Sequence, residues 1–181
     1  MTRKNISEES VVLVNRSGRK TGIAGKMTVH EKGLLHRAFS LFIFNSKGEC
    51  LLQKRAPSKY HFGGLWTNAC CSHPRPGERI VEAGKRRLIE ELGFNTSLEN
   101  YGHVYYSFHD QKTNLIEHEY DYLLTGKYDG AIHFNRNEVA AIKWIYPQKL
   151  LEEVARAPGK FTPWLRLILH EFSLQLLLPD K

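Results

Sequence analysis

Nothing in this sequence is built to cross a membrane helix by helix or to be held together by disulfides. No run approaches the roughly 20 consecutive apolar residues that a spanning helix needs, and the opening stretch MTRKNISEES lacks the apolar core of a secretory signal. Cysteine is scarce. Cys50, Cys70 and Cys71 are an odd number, two are adjacent, and none has the paired CxxC spacing of a zinc knuckle. A disulfide framework is therefore excluded, and at least one thiol should be free. Internal repeats, low-complexity tracts and long polar linkers are also missing. With 41% apolar and 25% charged residues, the chain is not disordered, collagen-like or a coiled coil. The expectation is an intracellular, cytoplasmic protein forming a single domain over residues 1–181. A domain of this length buries about 70% of its unfolded surface and needs no staples, so any metal should be functional.

Acidic residues are the minority, 19 Asp+Glu against 26 Lys+Arg, a net charge of +7. That balance favours an anionic partner without choosing among nucleic acid, membrane surface and a small phosphate ester. A nucleic-acid-binding module should show a basic, aromatic surface stripe. The aromatics here fall mostly in apolar strand runs, so neither nucleic acid nor membrane is expected as a partner. Nothing points to an obligatory protein partner.

Apolar, β-branched and aromatic runs predict strands at residues 11–14, 34–44 and 50–53, with a turn at 45–48, and again at 104–108, 117–124 and 141–145. Residues 80–92 place Val81, Leu88 and Leu92 on one face between charged residues, with Gly93 as the stop, which predicts an amphipathic helix. Pro163 opens an apolar final helix expected to run through Leu178. Mixed strands and helices suit an α+β fold better than a doubly wound one.

Chemistry is concentrated in a few short segments. In an extended Cys71-Ser72-His73, the thiol and imidazole share a face while Cys70 faces the other way. Glu117 and Glu119 likewise point together, and two adjacent buried carboxylates are costly unless a cation joins them. A turn at Gly33 could return His30 and His36 to the same place. Three neutral histidines with two carboxylates suit Zn²⁺, Mn²⁺ or Fe²⁺ better than Mg²⁺. Taken singly, each has a plainer account. His61, His109 or His133 reads as a surface or hydrogen-bonded core histidine, and the glutamates as the wet face of an edge strand. Only the whole set carries the metal reading.

On the helix, Glu90 and Glu91 lie in the last turn, where the negative helix end disfavours them by about 0.3–1 kcal/mol, so a cationic group should compensate. Ser72, Glu78, Arg86, Arg87, Leu88, Glu90, Glu91, Gly93 and Phe94 resemble the Nudix box, with two departures. Ser72 stands for its first glycine and Arg87 for the glutamate after its arginine, which weakens the hydrolase reading. A Nudix hydrolase of a nucleoside diphosphate derivative is the alternative.

The segments GLLHRAFSLFIF, LLQKR, WTNACCSHP, IEHEYDY and TPW occur in the order found in the type 1 isopentenyl diphosphate isomerase family, which the chain resembles over nearly its whole length. The resemblance implies a Nudix-like mixed β-sheet sandwiched by helices, with residues 34–168 as its core. It implies an enzyme of isoprenoid biosynthesis that interconverts isopentenyl and dimethylallyl diphosphate by a metal-dependent proton shift. The implied metal ligands are His30, His36, His73, Glu117 and Glu119. The implied catalytic groups are Cys71 and, as the acid, Glu119; metal ions and basic side chains around Cys71 should favour its thiolate, and in the forward direction Glu119 is expected to deliver the proton while Cys71 removes one. The assisting tyrosine matches Tyr106, with Tyr105 adjacent. Lys26, Arg55, Lys59 and Arg87 match the diphosphate-binding residues and Glu91 the Mg²⁺ ligand, so the implied cofactors are Mg²⁺ and a second divalent metal, Mn²⁺ or Zn²⁺. A passing tertiary carbocation could be stabilised by an aromatic face, for which Trp164 is the first candidate and Trp66 the second. Trp164 is equally explained as packing at the start of the last helix.

Overall fold

The computed structural model of the chain describes residues 9–59 and 61–172. Strands β1 (Ser10–Val14) and β2 (Lys20–Gly25) form a hairpin that leads into helix α1 (Lys26–Lys32). Strands β3 (His36–Phe44), β4 (Cys50–Arg55), β5 (Trp66–Asn68) and β6 (Cys70–Ser72) precede helix α2 (Ile80–Leu92). A long hairpin of β7 (Leu98–Asp110) and β8 (Leu115–Lys127) follows, then β9 (Val139–Ile145), α3 (Pro147–Arg156), a 3-10 turn (Pro158–Lys160) and α4 (Pro163–Phe172). The end of the expected last helix, residues 173–178, lies outside the described residues.

β3 organises the sheet. Its sequence, HRAFSLFIF, is buried at every position but Arg37, the pattern of a strand covered on both faces. β8 runs parallel to it from His36 opposite Glu119 to Phe44 opposite Lys127. Its other edge is shared by β1 at His36, β6 at residues 39–41 and β4 at Phe44, all antiparallel. Because side chains alternate along a strand, Phe39, Leu41 and Ile43 join the core formed with Ala83, Leu88 and Leu92 of α2. Phe42 and Phe44 join the core formed with Leu150 of α3 and Leu165 and Ile168 of α4. The mixed sheet is thus sandwiched between helices, as the sequence led us to expect.

Several elements, the 3-10 turn among them, were not legible in the sequence. Helix α1 has seven residues and no side-chain cap at Gly25, too short for a 3.6-residue repeat to register. Strand β2 is largely exposed and pairs with β1, so it carries no apolar alternation. Strand β5 is three residues long, and α3 buries only Pro147 and Leu150 fully. By contrast α2 ends where expected, with Gly93 left-handed at φ 73° and its N–H donated to Ile89 O. A Cβ at Gly93 would also lie 2.5 Å from His133 O.

Helix α2 rests close on the sheet at Gly84, where an added Cβ would fall 2.9 Å from Leu98 Cδ1 and 3.1 Å from Leu124 Cδ1. Gly84→Ala should therefore cost about 1–3 kcal/mol through overpacking, despite alanine's better helix propensity. Urea unfolding checks this; a variant more stable than the parent would show that α2 can lift without penalty.

Candidate active site and metal centre

Strand register lays out the site. Glu119 on β8 is paired with His36 on β3, and Tyr106 on β7 with Glu119. Directly opposed residues present side chains to the same face, so Tyr106, Glu119 and His36 form a row across three strands. Glu117 lies two residues before Glu119 and Ser40 four residues after His36, so both join that face. Ser40 is also paired with Cys71 on β6. His30 arrives from α1, because the left-handed Gly33 (φ 60°) turns the chain until the His30 and His36 rings are 5.0 Å apart. His73, just beyond β6, brings its ring to 4.8 Å from that of His36.

One donor atom from each of His30, His36, His73 and Glu119 lies within 4.8 Å of the others, and all four residues are buried. The backbone fixes which imidazole nitrogens face inward. His30 Nδ1 is 2.7 Å from Lys26 O and His36 Nδ1 is 2.9 Å from Leu34 O. A carbonyl only accepts, so Nδ1–H donates in both rings and Nε2 is turned to the centre. His36 Nε2 then meets His73 Nε2 at 3.1 Å, and His73 Nε2 is 3.0 Å from Glu119 Oε1. Nitrogen lone pairs and carboxylate oxygens converging in a buried space need a cation or shared protons between them. The donor set fits a borderline divalent ion such as Zn²⁺ or Mn²⁺. Glu117 is the outlying member. Its Oε2 is 3.1 Å from His30 Nε2, and that oxygen is buried without a hydrogen-bond partner.

The surrounding charges set the protonation. Burial lowers the His30 imidazole pKa, but the Glu117 carboxylate more than offsets this and leaves it above the ordinary value of 6.5. Burial dominates at His73 and, helped by His36, brings it down to about 4. Burial and Glu117 push the Glu119 carboxyl up, yet hydrogen bonds from His36 and His73 leave it net below 4.5. Tyr106 donates its phenol to Glu119 Oε2, and burial together with Glu119 keeps that phenol protonated. Tyr105 instead meets His118 Nε2 at 2.7 Å on the exposed face. The geometry therefore distinguishes the two tyrosines that the sequence left open.

The two adjacent thiols face opposite ways, as the alternation required. Cys70 is fully buried in the core under α2, whereas Cys71 lines the cavity with Tyr106, Glu119 and Trp164. Cys71 Sγ donates to Asn68 Oδ1 at 3.0 Å and accepts the Trp164 indole N–H at 3.1 Å. The expected thiolate is not what this environment favours. Burial and then the neighbouring Asp121 push the thiol up to about 12, against the pull of Ser40, Thr67 and Arg55. Trp164 holds Cys71 through its indole edge, and the Arg55 guanidinium lies 5.4 Å over its ring. Trp66 does not line the cavity; its ring lies under Lys143 Nζ at 4.8 Å.

Lys26, Arg55, Lys59 and Arg87 all line the same cavity. Lys26 pairs with Glu9 at 2.9 Å, Lys59 with Glu138, and Arg87 with both Glu90 and Glu91. Arg55 donates to His61 O at 3.2 Å, and its Nε is buried with no hydrogen-bond partner among the described residues. Glu91 does not line the cavity, and its oxygens are engaged by Arg87 and by Gln53 Nε2 at 2.8 Å. It therefore stands apart from the histidine group.

Sequence reasoning missed several residues here. Glu138 links Lys59 to Arg87, at 3.5 Å from Arg87 Nη2. Gln53 orients Glu91, and Asp121 accepts from Ser40 at 2.8 Å. His61 lies in the cavity wall and hydrogen-bonds Glu117. Asp121 had a signal, as the third member of the Glu117, Glu119 alternation; the others had none.

Comparison with known proteins places the chain in a family and a fold. Residues 34–165 match the family described as NUDIX domain. The chain is 44% identical over 169 residues to a Photorhabdus laumondii protein named isopentenyl-diphosphate Delta-isomerase 2, covering 93% of this chain and 94% of that one. It is 45% identical over 170 residues to a Burkholderia multivorans isopentenyl-diphosphate Delta-isomerase, covering 94% and 96%. In fold it is similar to a Deinococcus radiodurans structure (TM-score 0.71, 23% identity, 90% and 98% covered). It is also similar to a MutT protein from Methanosarcina mazei (TM-score 0.62, 19% identity, 76% and 92% covered).

A metal at this centre must displace the proton that His30 holds. Because the His30 value is raised above 6.5, affinity should begin to fall above that pH on acidification, by up to about tenfold per pH unit for one proton. His73, neutral down to about 4, adds nothing in this range. Chelator competition between pH 8 and 5 measures the slope, and a flat profile would remove His30 from the ligand set.

Proposed function

The chain belongs to the isopentenyl-diphosphate Delta-isomerases of the NUDIX family, and from that premise we propose the roles its own residues play in interconverting isopentenyl and dimethylallyl diphosphate. One observation carries the reading: a single cavity is lined by a thiol on one strand, by a tyrosine–carboxylate pair on two others, and by four basic side chains. Cys71 and Glu119 lie on strands that flank β3 at opposite edges. Both side chains line the same cavity, so a chain bound there meets the thiol and the carboxylate from different walls.

Moving the double bond requires a proton added at the terminal methylene carbon and another removed from the carbon next to the diphosphate-bearing methylene. The protonated intermediate is a tertiary cation that water would trap. One wall must donate while the other accepts, and the two exchange duties when the reaction runs backward. At rest Cys71 is a thiol and Glu119 is ionised, the arrangement in which Cys71 donates and the Tyr106–Glu119 pair accepts. The opposite direction, with Glu119 donating and Cys71 accepting as expected for the forward reaction, starts with the proton already moved to the carboxyl side. Trp164 holds the Cys71 sulfur in place and offers an aromatic surface to the cation. Lys26, Arg55, Lys59 and Arg87 supply charge-assisted donors for the diphosphate, and binding it would draw Lys59 and Arg87 from their carboxylate partners.

His30, His36, His73 and Glu119, with Glu117 beside them, would hold the divalent metal, whose charge offsets the carboxylates and fixes Glu119 in position. Mn²⁺ or Zn²⁺ suits this nitrogen-rich set. A Mg²⁺ ion shared by Glu91 and the diphosphate would require Arg87 to turn from Glu91 toward the substrate. Hydrolysis is disfavoured by Arg87, which stands at a box position where the hydrolases carry a glutamate.

The decisive measurement follows isopentenyl diphosphate conversion and phosphate release together. Isomerisation without release is expected; release of phosphate or pyrophosphate would favour the hydrolase. Cys71→Ala should cut turnover by at least about 10³-fold with folding intact. Cys70→Ala should cost about 1–2 kcal/mol of stability and keep most turnover. The converse result would reverse the thiol assignment. Tyr106→Phe should reduce turnover about 10–100-fold with metal retained; loss of metal in that variant would make Tyr106 a scaffold residue.

A further inference from the structure

We propose that His61 is a positioning residue for the metal centre, acting through Glu117. This rests on the metal-dependent reading of the site above and assigns a residue that the five-ligand set does not contain. His61 lies in the loop between β4 and β5, with its side chain 4% exposed, and its Nε2 meets Glu117 Oε1. A carboxylate that holds a metal is ionised and only accepts, so His61 Nε2–H is the donor. One oxygen of Glu117 is thereby committed to His61, and the other, Oε2, is left facing His30 Nε2 at 3.1 Å without a hydrogen bond. The imidazole fixes the rotation of the carboxylate and presents that oxygen to whatever His30 binds.

The loop is built to hold this ring inward. Arg55 Nη2 donates to the His61 carbonyl at 3.2 Å. The next residue, Phe62, is left-handed at φ 52°, a conformation unfavourable for a bulky side chain. Phe62 is held there by edge-on contacts with Trp164 at 5.3 Å and a tilted one with Phe108 at 5.6 Å. His61 itself lies 6.4 Å from the Trp164 ring. The segment that contributes Lys59 to the basic end of the cavity thus also reaches the carboxylate beside the metal, and Arg55 touches its backbone. His61 is placed to orient a ligand rather than to be one, because its inward nitrogen is occupied by Glu117.

The test compares His61→Leu, which fills the space but cannot donate, with His61→Gln, whose side-chain N–H can replace Nε2–H. Both are loaded with Co²⁺, whose affinity is read by chelator competition and whose ligand geometry is read from its visible absorption. His61→Leu should weaken Co²⁺ binding about 10–100-fold and alter the spectrum, while His61→Gln should recover most of the affinity with a near-parental spectrum. Co²⁺ affinity within threefold of the parent in His61→Leu would overturn the proposal. Equal losses in both variants would also overturn it, since the imidazole would then be needed as a ligand. If His61→Leu does not fold, His61→Gln against the parent decides alone: near-parental affinity supports the donor role and a tenfold loss rejects it. These readouts need no turnover. A parent that binds Co²⁺ but does not isomerise would defeat the functional reading and leave the His61 role standing. A parent that isomerises while His61→Leu binds normally would do the reverse.

Discussion

The site depends on one constraint: imidazole nitrogens and carboxylate oxygens are forced together in a largely buried space at the inner end of the cavity. Two of the imidazoles are turned inward by the backbone. His30 and His36 spend their Nδ1 hydrogens on the carbonyls of Lys26 and Leu34, which leaves Nε2 for the centre. Such an arrangement is unfavourable unless positive charge joins the groups, so the protein's own packing creates the demand for a cation. The sheet carries that cost because β3 is paired along its length with β8 and covered on both faces. Register and metal demand are two aspects of one pairing, since a slip of one residue would send Glu119 and His36 to opposite faces.

The opposite wall follows a different logic. Asn68 accepts from Cys71, and its amide nitrogen is tied to Leu41 O at 3.2 Å and Cys70 O at 3.0 Å, so its oxygen is fixed toward the sulfur. Burial, with Asp121 nearby, pushes the Cys71 thiol up, while the histidine side holds the Glu119 carboxyl below its ordinary value. Two groups whose environments push their proton affinities apart suit a reaction that must donate on one side and accept on the other. At a box position where the hydrolases carry a carboxylate, Arg87 places a guanidinium in the cavity wall, which on the proposed function would bind the diphosphate.

Residue types and short periodicities alone determined a great deal: the α+β class, helix α2 with its Gly93 stop, the opposition of Cys70 and Cys71, and the pairing of Glu117 with Glu119 on one face. All are consequences of alternation by two or repetition by 3.6, which neighbouring residues impose on one another whatever the rest of the chain does. Only the tertiary structure decided which of Tyr105 and Tyr106 meets Glu119, because that depends on how β7 is registered against β8. It likewise decided that Trp164 and not Trp66 enters the cavity, that burial pushes the Cys71 thiol up, and that Glu91 is engaged by Arg87 and Gln53. The sequence read His61 only as a surface or hydrogen-bonded core histidine, since a lone histidine in a loop has no periodic partner. Its meaning comes from a strand 56 residues away, and a contact across that distance is fixed by packing, not by any local rule.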